Sequence, residues 1–283
     1  MLGVVACETY YPEFDAAPVE LRVEYVPQWY HEYPIHPPDS ATIHRELQEG
    51  IDELESQEVR AILVIYDDLR GVQDLKTQDV PLYVFRGGDC VDLLLPDQSR
   101  DRYGEAKTTH TYYLTRGWID AGLDFYKVYK AYAGELDELI AIFEAAKRDH
   151  ADLRVTWPES RRIQQARERS EHMQTDPAAL LGKIVGGYHQ VLLIDTGLLY
   201  PFHHDYATAF RSFIASFDKG KATDVSLTVV EGTSERFRTL IRDPSADPDV
   251  WQFGPGEAVT LRDPHIAKAL SGDSRINTDP TPE

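Results

Sequence analysis

The chain has 283 residues, 42% hydrophobic and 27% charged, which is apolar enough to bury a core and excludes a disordered body. Its 29 Lys and Arg face 48 Asp and Glu for a net charge of −19. A field of that sign repels phosphate backbones, so nucleic-acid binding is excluded unless a basic patch exists. The densest basic stretch, Arg161 to Arg169, is interleaved with Glu and Gln like a solvated helix face.

The opening Met1 to Cys7 carries no basic leader and runs into a first strand, the short apolar run Gly3 to Ala6. Leu21 to Val26 alternates and ends at Pro27, a second strand. Asp39 to Glu55 places Ile43, Leu47, Ile51 and Leu54 on one helical face, with Asp39 or Ser40 as N-cap. Ala61 to Tyr66 and Leu82 to Phe85 are unalternated apolar strands, and Thr111 to Thr115 is another strand before a turn at Arg116-Gly117-Trp118. From Ile119 to Met173 the pattern is helical, broken at Gly134 and at Trp157-Pro158. A further helix over Asp176 to Tyr188 opens on Asp176 and Pro177. Val191 to Ile194, a helix from His204 to Phe217, a strand over Val225 to Val230 and a short helix over Ser234 to Ile241 restore the α/β rhythm. The predicted fold class is α/β: a parallel Rossmann-like sheet with a helical middle insertion and a second α/β stretch, either in one sheet or as two facing lobes. The corresponding parts are residues 1–118, 119–188 and 189–270, followed by a polar, disordered tail over 271–283.

Ligands in such folds bind beyond the carboxyl ends of the strands. That rule selects Cys7, Glu8, Asp67, Asp68, Arg86, Asp89, Cys90, Asp195 and Thr196, and both cysteines of the chain land on that edge. No apolar run approaches the roughly 20 residues of a membrane-spanning helix. Two cysteines and no leader predict a reducing cytoplasm, and the carboxylate-rich, lysine-poor composition predicts a salt-rich one.

Several strings together resemble a known family. Ala6-Cys7-Glu8, then His31 and Pro34, then Arg86-Gly87-Gly88-Asp89-Cys90, then Thr111-Tyr112-Tyr113-Leu114-Thr115 with Gly117-Trp118, and finally Ile194-Asp195-Thr196-Gly197-Leu198, are similar in order and spacing to domain of unknown function 1638. The resemblance implies an archaeal or anaerobic bacterial setting, beside corrinoid-dependent methyl transfer. The chain departs from the family pattern at Leu69, where a loop cysteine is usual, and at Gly88, where histidine is usual.

Two chemistries follow for the strand-end site. A soft metal site would use Cys7, His31 and Cys90, suiting a divalent metal such as zinc, with Glu8, Asp67, Asp195 and Thr196 around a bound cofactor. A thiolate site would use Cys90 or Cys7, with Arg86 or a helix N-terminus lowering its pKa and Asp89 beside Cys90. Either makes the protein an enzyme or enzyme accessory, which the resemblance places in one-carbon metabolism, acting on a small molecule or with a metabolic partner protein. The other class is a non-catalytic small-ligand-binding or regulatory protein, which Leu69 favours. His203-His204-Asp205 reads as the flank of a helix start rather than a metal cluster. The aromatics Trp29, Tyr30 and Tyr33 form either core or a pocket wall.

Overall fold

The computed structural model describes residues 1–27, 40–66, 71–87, 91–96, 110–158, 177–217 and 224–261. The strands form two sheets. In the first, β1 (Leu2–Cys7), β2 (Leu21–Val26), β3 (Ala61–Ile65) and β4 (Leu82–Phe85) run parallel in the order β2-β1-β3-β4. In the second, β5 (Thr111–Leu114), β6 (Gln190–Asp195) and β7 (Ser226–Glu231) are also parallel and in chain order. The α/β class is therefore the observed one, with two sheets.

Strands β1, β3, β4 and β6 lack polar alternation because their faces are buried on both sides, whereas the edge strand β2 alternates. In β6, Val191 and Leu193 enter one core while Leu192 and Ile194 enter the other. Sheet two is thus the wall between two cores. One core holds the first sheet and the helix over Ser40–Ser56, which buries Ile43, Leu47, Ile51 and Leu54 as their spacing requires. Gly50 lets that helix close on β1, since a Cβ there would meet Val5 at 3.2 Å.

The other core holds the middle helices. Phe125–Ala133 starts on the Asp124 carboxylate, which accepts the Tyr126 and Lys127 amides, and stops at Gly134 with φ 75°. Leu136–Asp149, Pro177–Val185 and Pro201–Ala215 complete the layer over β5 and β6.

Two local readings need correction. Arg116-Gly117-Trp118 is not a turn but opens a helix, Arg116–Asp120, because the Thr115 hydroxyl accepts the Trp118 amide and caps it. Val250–Phe253 forms an eighth strand, β8, antiparallel to β4 with Leu82 opposite Phe253. Its four residues carry too little pattern to be read alone, and β4 supplies the partner. No helix among the described residues is long and apolar enough to cross a membrane.

Candidate functional site

The order β2-β1-β3-β4 places the switch point of the first sheet beside the end of β1, where a doubly wound sheet usually opens a crevice. Here the crevice is filled from the second sheet. After Cys7 the chain turns through Glu8–Tyr10 into a short helix, Tyr11–Asp15, and this segment meets the ends of β5 and β6. A Cβ on Gly117 would lie 1.6 Å from the Thr9 carbonyl oxygen, so only glycine permits the approach.

Around that contact lies a buried set of ionisable groups. Asp120 is fully buried and takes three donors: the Tyr11 hydroxyl at 2.5 Å and Arg116 Nε at 3.3 Å on Oδ2, and His203 Nε2 at 3.1 Å on Oδ1. The Tyr200 amide donates to His203 Nδ1 at 2.7 Å, so the ring proton sits on Nε2 and both nitrogens are engaged. Arg116 also donates to Asp152 at 2.6 Å and to the Leu198 carbonyl at 3.2 Å. Lys127, fully buried, donates to the carbonyls of Asp120 and Gly122 and lies 5.0 Å from the Phe143 ring centre. Burial pulls its ammonium down to about 8, against the carboxylates of Asp124, Asp120 and Glu8. Glu13 Oε1 accepts the Thr196 hydroxyl at 3.1 Å, while the buried Oε2 has no hydrogen-bond partner among the described residues.

Nearly every strong donor and acceptor of this cluster is committed to another. His203 has no nitrogen left to take a proton from a ligand, and Arg116 is forked between protein oxygens. The cluster is a clamp between the sheets. Its signal in the sequence was the Arg116–Asp120 spacing of four on one helix face, hidden by reading that stretch as a turn.

The strand-end candidates divide. Cys7 lies in the first core, 3% exposed, with its sulfur 3.2 Å from the Thr9 hydroxyl. Glu8 sits beside it at the start of the turn. Asp195 ends β6 and accepts the Gly197 amide at 2.8 Å, and Thr196 faces Glu13. Arg86 turns to β8: its amide donates to the Asp249 carbonyl, its Nη2 to the Pro248 carbonyl, and its guanidinium lies over Trp251. His31, Asp67, Asp89 and Cys90 lie outside the described residues, as do Leu69, the aromatics Trp29, Tyr30 and Tyr33, the Arg161 to Arg169 stretch and the tail. Among the described residues there is no group of three His, Cys, Asp or Glu placed to hold a metal ion. His203 takes the helix-flank role, as the third residue of Pro201–Ala215.

Beside the clamp is a cavity of about 690 Å³. It lies beyond the carboxyl end of β7, between the start of the helix Glu235–Arg242 and the approach to β8, and Leu95, Gly232, Thr233, Arg236, Thr239 and Asp249 contribute to its lining. Arg236 is held in place by Asp247, at 2.9 Å to Nε and 3.0 Å to Nη2, and by Asp249 at 2.6 Å. Burial presses the Asp247 carboxyl up, but this fork holds it below the usual carboxylate range. Gly232 connects cavity and clamp: a Cβ there would come within 3.0 Å of Thr196 and 2.7 Å of Ile194.

No curated protein matches the chain. A family model described as "Protein of unknown function (DUF1638)" matches residues 32–241, most of its length. The chain therefore belongs to the DUF1638 family.

Proposed function

We propose that this protein binds a small organic molecule in the cavity beyond β7, as a binding or regulatory protein rather than through chemistry in the clamp. The observation that carries this reading is the cavity itself. Its volume of about 690 Å³ suits a metabolite-sized ligand, and it sits at the carboxyl edge where α/β sheets take ligands. The lining mixes apolar surface from Leu95, Pro96 and Pro248 with the hydroxyls of Thr233 and Thr239 and the exposed carboxylates of Glu231 and Glu235. That combination orients a polar ligand while burying its carbon frame.

Saturation-transfer NMR against a library of polar metabolites tests it, with Thr239→Phe filling the cavity. Compounds that bind the native chain and lose binding in a folded Thr239→Phe chain support the reading. Binding unchanged by the substitution, or no binding from the library, overturns it. The one-carbon enzyme suggested by the family resemblance would draw instead on Cys7, His31, Asp67, Asp89 and Cys90. It requires stoichiometric metal or a reactive thiol per chain, so metal analysis and thiol titration of the purified protein separate the two.

A further inference from the structure

Residues 9–15 join the two sheets through the Thr9 carbonyl against Gly117, Tyr11 on Asp120, Glu13 on Thr196, and Asp15 on Arg154 at 2.9 Å. The Glu13 contact is half made. Its side chain is 3% exposed, one oxygen accepts the Thr196 hydroxyl, and the other is buried without a partner. A neutral carboxyl tolerates such a place, whereas a carboxylate there holds charge on a buried oxygen without a hydrogen-bond partner among the described residues.

We propose that Glu13 is a proton-operated latch between the two sheets, closed while its carboxyl is neutral and loosened when it ionises. The groups facing it come from its own backbone and each neighbouring element. The Glu13 amide and Thr196, after β6, donate to it; Arg116, on the helix Arg116–Asp120, favours its ionised form; Asp120, on the same helix, opposes it; and the Tyr25 phenol on β2 feels its charge. Burial outweighs the favourable contacts and pushes the carboxyl up to about 7. The closed joint therefore holds its proton above the ordinary carboxylate range, and closure weakens as pH rises from about 4.5 through 7. Because Thr196 backs Gly232, release at Glu13 reaches the cavity wall. The latch is independent of whether the cavity takes a ligand.

Amide hydrogen exchange of the whole chain, corrected for intrinsic rates, reads the latch in peptides spanning residues 9–15 and 192–197. In the native chain, protection should fall by up to about a hundredfold between pH 5 and 8. In Glu13→Gln, which cannot ionise, it should stay flat. A second variant, Thr196→Val, removes the donor to the carboxylate and should move the midpoint to higher pH. A flat native profile, a native-like slope in Glu13→Gln, or a loss in Thr196→Val that is equal at every pH would each overturn the latch.

Discussion

The clamp and the cavity lie a residue apart, at Thr196 and Gly232, yet they treat charge in opposite ways. In the clamp, Asp120, Lys127 and His203 are fully buried and bound to each other or to backbone. In the cavity, Glu231 and Glu235 are exposed and free to meet a ligand, while Arg236 and Asp249 are paired with each other. Perturbed titration is a common guide to functional sites. Here burial displaces Glu13 and Lys127 at the joint, while beside the opening the ion pair with Arg236 displaces Asp247, so displaced titration alone does not tell joint from opening. What distinguishes the two regions is whether the polar atoms are already answered.

The contrast is broken most forcefully at Asp120. Asp120→Ala strips a partner from Arg116, His203 and Tyr11 at once and should lower stability by about 4 kcal/mol, read by urea unfolding. Glu231→Ala, on the cavity side, should stay within about 0.5 kcal/mol. Equal losses would mean that the clamp is no more structural than the cavity rim. Gly117→Ala comes next, at about 3 kcal/mol, because its methyl group must displace the Thr9 backbone. Gly256→Ala is the useful control. That glycine has φ 74° and open space around it, so it should cost only about 1 kcal/mol, from backbone conformation alone.

How much of this was legible in the sequence depended on how local the cause was. The helix over Ser40–Ser56 was readable because one face of Ile43, Leu47, Ile51 and Leu54 settles it. The parallel strands were readable because unbroken apolar runs require cover on both faces. β8 was not, since Val250–Phe253 becomes a strand through β4, far away in the chain. The strand-end rule selected Thr196 and Arg86, which border the clamp and the cavity. It passed over Glu13, Asp120 and Lys127, whose roles arise from burial between two sheets, a property no window of residues displays. Cys7 shows the converse: its position suggested chemistry, while its neighbours make it core.

A dependence on pH, rather than the cost of a substitution, sharpens the comparison through Lys127. Burial lowers its ammonium to about 8, so the folded chain binds fewer protons than the unfolded one between about pH 8 and 10.5. The sign follows: the penalty of a buried charge is present in full below 8 and is relieved as pH rises, a gain of about 2 kcal/mol across that window. Above pH 10, Tyr11, Tyr25 and Tyr206 act the other way, since burial pushes each phenol above its usual range. The measurement is therefore a difference, the unfolding free energy of the native chain minus that of Lys127→Met at each pH. Loss of the hydrogen bonds to the Asp120 and Gly122 carbonyls shifts this difference by a constant, and the tyrosines cancel. What remains should rise between pH 8 and 10.5. Parallel curves would show that the two carbonyls and the Phe143 ring hold the ammonium as well as water does, and that Lys127 is charged in the clamp at no cost.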